Sequence, residues 1–83
     1  MKLNLDTVNN ILERDKLLYL ATMNSKYPDN SAVVFAYDGN LHLYFGCYSD
    51  TLKGRNIEEN PYVAISVGTL QIHGISKIVH MVV

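Results

Sequence analysis

The residues best suited by type to hold an anion lie between Gly46 and Pro61, in the stretch Gly-Cys-Tyr-Ser-Asp-Thr-Leu-Lys-Gly-Arg-Asn-Ile-Glu-Glu-Asn-Pro. Three side-chain oxygens, on Ser49, Asp50 and Thr51, precede a short helical segment that Asn60-Pro61 stops. Lys53 and Arg55 come early in that helix and Glu58 and Glu59 late. A helix is partially positive at its N-terminus, so this order is backwards and costs a few tenths of a kcal/mol per charge. Two readings account for the stretch. In one, a side-chain oxygen simply caps the helix, with Ser49 or Asp50 the better placed. In the other, unsatisfied first-turn N–H groups, the Thr51 hydroxyl and the Lys53 ammonium hold a phosphate.

Other chemistry-bearing residues are dispersed. His42, His73 and His80 fall on expected strands without a carboxylate or second histidine at ligand spacing, so no metal site is expected. Cys47 stands just ahead of the loop. A thiol there could be activated by the helix N-terminus, although a small packed residue explains it better. No nucleophile elbow, Gly-x-Gly-x-x-Gly or Walker loop is present, and no catalytic residue is assigned. The six tyrosines suit half-exposed strand faces.

The elements that must position these residues are mostly strands. Residues 4–15 place Leu5, Val8, Ile11 and Leu12 on one helical face, capped by Asn4 or Asp6. Leu17–Met23 reads as a first strand, Asn24–Asn30 as a loop, Ser31–Tyr37 as a second strand and Leu41–Phe45 as a third. Asp38-Gly39-Asn40 signals the hairpin between the last two. On the third strand, Leu41, Leu43 and Phe45 alternate with His42 and Tyr44, which makes one side core. After the central helix, Tyr62–Val67 alternates, Gly68-Thr69 turns the chain, and Leu70–Val79 forms a long last strand. The alternation slips near Gly74, which predicts a bulge.

The expected fold is therefore mainly β with two short helices: five antiparallel strands in a small barrel or half-barrel, with the second helix between strands 3 and 4. The 83 residues form a single domain, 1–83. A chain this short and this apolar commonly completes its burial against a second copy. A net charge of −1 without a basic cluster argues against nucleic acid as a partner. The lone cysteine suits a reducing cytosol, and no stretch approaches the ~20 apolar residues of a membrane span. A cytoplasmic location is expected.

A resemblance then emerges from particular residues: Leu20-Ala21-Thr22, the Ser31–Gly39 strand and turn, Leu41–Gly46, Ser49-x-Thr51-x-Lys53, Ile57-Glu-Glu-Asn-Pro61-x-Val63-Ala-Ile65 and Ile72-His-Gly74. Together these resemble the pyridoxamine 5′-phosphate oxidase-like, FMN-binding split β-barrel family. The resemblance implies a homodimer with FMN in clefts at the subunit interface and a small-molecule redox partner. It implies that the backbone around Ser31, Val33, Val34 and Phe35 lines the isoalloxazine ring, that Gly46 and Cys47 lie near the ribityl chain, and that Thr51 and Lys53 hold the phosphate.

Two departures from the family pattern stand out. The second strand lacks the basic residue that many members use on the phosphate, and Leu52 occupies the position of an arginine beside the family's lysine. The chain is also short, since members continue into a further helix and at least one more strand where this one ends in Ile78-Val-His-Met-Val-Val83; exposed, that apolar end would be an aggregation-prone edge, so either it pairs with a partner or the product is shortened at its C-terminus. The residues that bind pyridoxamine phosphate in true oxidases lie mostly in that further portion. The leading expectation is an FMN-binding oxidoreductase of unassigned substrate. The alternative is a shortened split-barrel dimer without flavin catalysis, serving as a binding or structural module or holding haem or a deazaflavin.

Overall fold

The computed structural model describes residues 4–48 and 50–78. Helix α1, Leu5–Arg14, is followed by β1 (Leu17–Met23), β2 (Pro28–Val34), β3 (Ala36–Tyr37) and β4 (Leu43–Tyr44). Helix α2 (Leu52–Glu59) and strands β5 (Tyr62–Val67) and β6 (Leu70–Ile75) complete the order. All pairings are antiparallel. Four strands form one sheet in the order β2-β1-β5-β6, and β3 and β4 form a separate two-stranded ribbon. Among the described residues the two sheets are not joined into one ring, so the barrel is split.

The inner face of the larger sheet carries the core. Leu18 and Leu20 of β1, Val33 of β2, Val63, Ile65 and Val67 of β5 and Leu70 of β6 are buried together. Leu12 of α1 and Ile57 of α2 join them from above. Burial at alternate positions is what a sheet covered on one side produces. Helix α1 follows local rules throughout. The Asn4 side chain accepts from the Thr7 N–H at 2.8 Å, Asp6 sits in the first turn and Arg14 in the last.

Several expected boundaries move. The second strand begins at Pro28 instead of Ser31, because seven residues pair with β1, from Met23↔Pro28 to Leu17↔Val34. It also breaks at buried Phe35, whose N–H donates to the Lys16 carbonyl at 3.0 Å. Beyond that corner the chain leaves the large sheet to pair with β4, so the second expected strand is divided and the described residues form six strands. The third strand shrinks to Leu43–Tyr44. Leu41 is not core: it is exposed and sits in the turn with φ 63°. Nor does Gly74 mark a bulge, since Val63↔Gly74 and Tyr62↔Ile75 pair without an extra residue. The slipped alternation is met by exposing Ile75, and the ladder continues regularly with Ser76 N–H on the Pro61 carbonyl at 2.7 Å. The last strand is described to Ile75; Val79 and His80 lie outside the described residues.

The β3–β4 turn is organised by Asp38. One carboxylate oxygen accepts from the Asn40 N–H at 2.7 Å and the His42 N–H at 3.2 Å, and the other meets His42 Nδ1 at 2.7 Å. Gly39 supplies the positive φ, 85°, that the turn requires. Desolvation pushes the Asp38 carboxyl up. Hydrogen bonds from the Asn40 amide, the His42 ring and the His42 amide, with the ring's charge, outweigh it and hold the group below its ordinary value.

A carboxyl whose folded value is lowered stabilises the fold above its unfolded pKa and loses that contribution as pH falls through the folded value. Asp38→Asn should therefore flatten the acid side of a stability-versus-pH curve measured between about pH 6 and pH 2. An unchanged acid limb would show that the turn does not sense this group.

Candidate functional site

Helix α2 is positioned by one buried polar residue. Asn56, 2% exposed, donates through Nδ2 to the Thr22 hydroxyl at 3.0 Å. Its Oδ1 accepts from Asn24 Nδ2 at 3.3 Å. Thr22 is itself fully buried on β1, and no buried side-chain polar atom among the described residues lacks a partner. The helix thus packs on β1 and β2 through a satisfied polar contact beside Ile57. Asn56 had a sequence signal: it lies four residues after Leu52 and beside Ile57, on the stripe that turns inward.

The loop ahead of α2 differs from its expected form. Thr51 is the N-cap, where the sequence favoured Ser49 or Asp50. Its hydroxyl oxygen accepts from the Gly54 N–H at 3.2 Å, and its O–H donates to the Tyr48 carbonyl at 2.6 Å. The Thr51 N–H reaches the same carbonyl at 3.1 Å. Ser49 lies outside the described residues, and Asp50 contributes its carbonyl oxygen, which accepts from Arg55 Nη1 at 3.0 Å. Arg55, without a role on sequence grounds, ties the loop to the helix. The first turn holds no acidic residue, and half-buried Lys53 makes no salt bridge among the described residues. The reversed charge order is therefore uncompensated by any side-chain pairing in that turn.

Strand β2 lies at an edge of the four-stranded sheet, so one side of its backbone has no strand partner among the described residues. Val33 and Phe35 are buried, Val34 points to solvent, and Ser31 Oγ donates to Asp29 Oδ2 at 3.2 Å. The anionic neighbour of Ser31 was not anticipated, because Asp29 was placed in a loop. Gly46 and Cys47 lie at the mouth of a cleft of about 820 Å³. Leu43, Phe45, Ile57, Ile65 and Ile72 supply its apolar wall. The other six expected contacts do not line this cleft, which is the open interior of the split barrel. The eight residues thus divide among the β2 edge, the cleft mouth and the first turn of α2.

Cys47 is free and exposed, not packed as its size suggested, because the chain after β4 leaves the core before α2 begins. His42 is held by Asp38 and His73 is exposed. Among the described residues no three His, Cys, Asp or Glu side chains are grouped to hold a metal ion. None of the described helices is long and apolar enough to cross a membrane.

The expected FMN contacts can be tested against this geometry. The first turn of α2 combines backbone N–H groups with a cation and no acid, which suits a phosphate, while Asp50 stands one residue ahead of the cap. The open edge of β2 offers backbone donors and acceptors, which suit the polar rim of a flavin ring. The residues present fit the group, and Lys53 with the helix end would hold its phosphate.

Comparison with known proteins agrees with the architecture. A family model described as pyridoxamine 5′-phosphate oxidase matches residues 5–81. The crystal structure of a candidate pyridoxamine 5′-phosphate oxidase from Listeria innocua superposes with a TM-score of 0.80 at 26% identity, covering 86% of this chain and 62% of that one. A protein of unknown function from Agrobacterium tumefaciens shares the fold, with a TM-score of 0.69 at 22% identity, over 76% of this chain and 28% of its own. Among curated proteins, none matches the sequence. The chain thus spans less than two thirds of either solved relative. The match over residues 5–81, with the superposition on the Listeria structure, shows that this chain belongs to the pyridoxamine 5′-phosphate oxidase family.

Proposed function

We propose that this chain is an FMN-binding flavoprotein that acts as a homodimeric oxidoreductase on a small-molecule redox partner. The observation that carries the reading is the first turn of α2, where Lys53 stands beside a helix N-terminus without a compensating acid. Such a turn is electrostatically unfavourable alone and favourable with a phosphate on it. Family membership supplies the reason to choose FMN among phosphorylated ligands. When bound, FMN supplies the electron chemistry, which the protein does not provide itself.

In this reading each group of residues has a separate task. Lys53 and the first-turn N–H groups hold the phosphate. Thr51 acts chiefly as the cap that fixes those N–H groups, since its hydroxyl is already engaged at both its donor and an acceptor position. The exposed backbone at Gly46 and Cys47 borders the ribityl chain. The β2 edge from Ser31 to Phe35, through Val33 and Val34, orients the ring by backbone hydrogen bonds. The Asp29 carboxylate beside Ser31 disfavours a second anion at that end, so it also sets which way round the ligand lies.

A second reading has its own support. Strand β2 carries no cation, Leu52 replaces an arginine-like contact, and the Thr51 hydroxyl is committed to Tyr48. These would suit a split-barrel module that has lost flavin binding, or that holds another ligand such as a deazaflavin or haem. Titration separates the two. FMN added to the purified protein should bind saturably, read by quenching of flavin fluorescence, and absence of saturable binding would leave the second reading standing.

Lys53→Ala should weaken FMN binding by about 1–3 kcal/mol, or roughly 5- to 150-fold, the range for a charge-assisted contact. Riboflavin, which lacks the phosphate, should bind wild type and variant alike. Equal loss for both ligands would mean that Lys53 supports the fold and does not contact the phosphate.

A further inference from the structure

The cleft between β4 and β6 is bordered by two uninterrupted runs, residues 41–47 and 70–78. A cleft that meets the face of a strand touches alternate residues, whereas one that meets every residue in turn lies against the strand's backbone edge. Both edges are open, since β6 ends the four-stranded sheet and β4 ends the ribbon. The Ser76 N–H on the Pro61 carbonyl fixes which residues of β6 bond to β5: Leu70, Ile72, Gly74 and Ser76. Gln71, His73 and Ile75 therefore turn their N–H and C=O groups towards the cleft, without a partner among the described residues. On β4, the Asp38 N–H on the His42 carbonyl sets the same alternation, so Leu43 and Phe45 direct their backbone groups away from β3. Val8, Leu12, Ile57, Val63 and Ile65 floor the space between the two edges.

We propose that this slot accepts one extended strand lent by a partner polypeptide, antiparallel to both edges and apolar at alternate positions. Strand sense carries the argument. The row β4, β3–β2, β1, β5, β6 has five positions, with β2 and β3 as one strand bent at Phe35, and every neighbouring pair is antiparallel. Strands β4 and β6 at its two ends therefore run in the same sense, and an all-antiparallel ring needs an even number. One strand of opposite sense closes it. A small apolar molecule would leave the edge N–H and C=O groups unpaired, whereas a peptide backbone satisfies both edges at once. The chain's own last residues do not reach. Five residues follow Ile78, and they leave β6 in the wrong sense. The tightest reversal takes two of them, which leaves about three to pair, fewer than an ordinary strand. The floor lies on one side only, so the occupant needs an apolar side chain at every second residue. Glu58 and Lys77 border the slot with one charge of each sign, so no net charge is selected. The proposal stands apart from the flavin reading, whose phosphate and ring contacts belong to α2 and β2.

The test uses the flavin-free protein and a capped, fluorescein-labelled peptide of about nine residues, alternating valine and threonine between terminal lysines. Fluorescence anisotropy should show saturable binding below ~1 mM protein, and the same peptide N-methylated at its valines should not bind. Amide hydrogen exchange read by NMR should slow at Gln71, His73 and Ile75 of β6 and at Leu43 and Phe45 of β4. His73→Pro removes one edge donor and leaves the bonds to β5 in place, so it should weaken the peptide at least ~5-fold. Thermal melting confirms that the variant is folded; if it is not, the exchange pattern of wild type decides. Absence of saturable binding overturns the proposal, as does equal binding of the N-methylated peptide or protection along β2 in place of β4 and β6. Protection of the same amides that grows with protein concentration, without peptide, shows a second copy in the slot and overturns the choice of partner. FMN is titrated separately, so peptide binding without flavin binding sinks the flavin reading alone, and the reverse sinks the strand alone.

Discussion

The hydrogen bond between Asn56 and Thr22 is the contact on which the placement of α2 depends. A helix could rest on β1 and β2 through apolar side chains alone, as Ile57 does, but such packing tolerates rotation and sliding. A buried amide that must meet one hydroxyl at 3.0 Å and one Asn24 amide at 3.3 Å tolerates far less. With α2 pinned, its first turn is fixed relative to the β2 edge, and Thr51, Lys53 and the Arg55–Asp50 tie are fixed with it. Leaving either buried partner unsatisfied is costly, so the pair selects one orientation of the helix.

Charge placement shows the same division of labour at a larger scale. Among the described residues, the charged ones occupy the helices, the loops and the turns, and on the four-stranded sheet only Asp29. Helix α1 is arranged as an isolated helix would prefer, acid first and base last. Helix α2 has neither an acid in its first turn nor a base in its last. The two helices share one chain and one solvent, so this contrast is not a general shortage of suitable residues. It marks α2 as the helix whose first turn holds no acidic side chain, Asp50 standing just ahead of the cap.

Much of this was legible in the sequence. The bounds of β1 follow from its short apolar run, those of β5 from alternation, and the Asp38-Gly39-Asn40 turn from its residue chemistry. What misled was composition overriding pairing. Pro28, Asp29 and Asn30 look like loop residues, yet pairing with β1 draws them into β2, where Pro is tolerated because the strand is at an edge. That shift hid the Asp29–Ser31 contact. Leu41 looked like the start of a strand, but the turn needed one more residue with positive φ than glycine supplied. The apparent phase slip at Gly74 was real as a pattern and wrong as geometry. A bulge would have turned Ile75 inward, and the ladder instead leaves it on the outer face. Lys53 was legible as a cation in the wrong place, whereas the cap could not be chosen among three adjacent oxygens.

The identity of the cap changes the chemistry expected of this helix end. A Thr51 hydroxyl that donates to the Tyr48 carbonyl cannot give the same proton to a phosphate without breaking that bond. The energetic gain from switching is a difference between two hydrogen bonds, and therefore small. By accepting from Gly54 N–H, however, the same hydroxyl holds the first turn in helical geometry and leaves the earlier N–H groups directed along the axis. The threonine thus serves an incoming anion better as a strut than as a contact. In the proposed reading Lys53 would be the principal side-chain counter-charge, since Leu52 contributes none and Arg55 is bound back onto the loop. An anion site of that kind, with one lysine and a rigid set of backbone donors, would be specific in geometry and modest in strength, so in the proposed reading the rest of the affinity would come from the β2 edge and the surfaces around it.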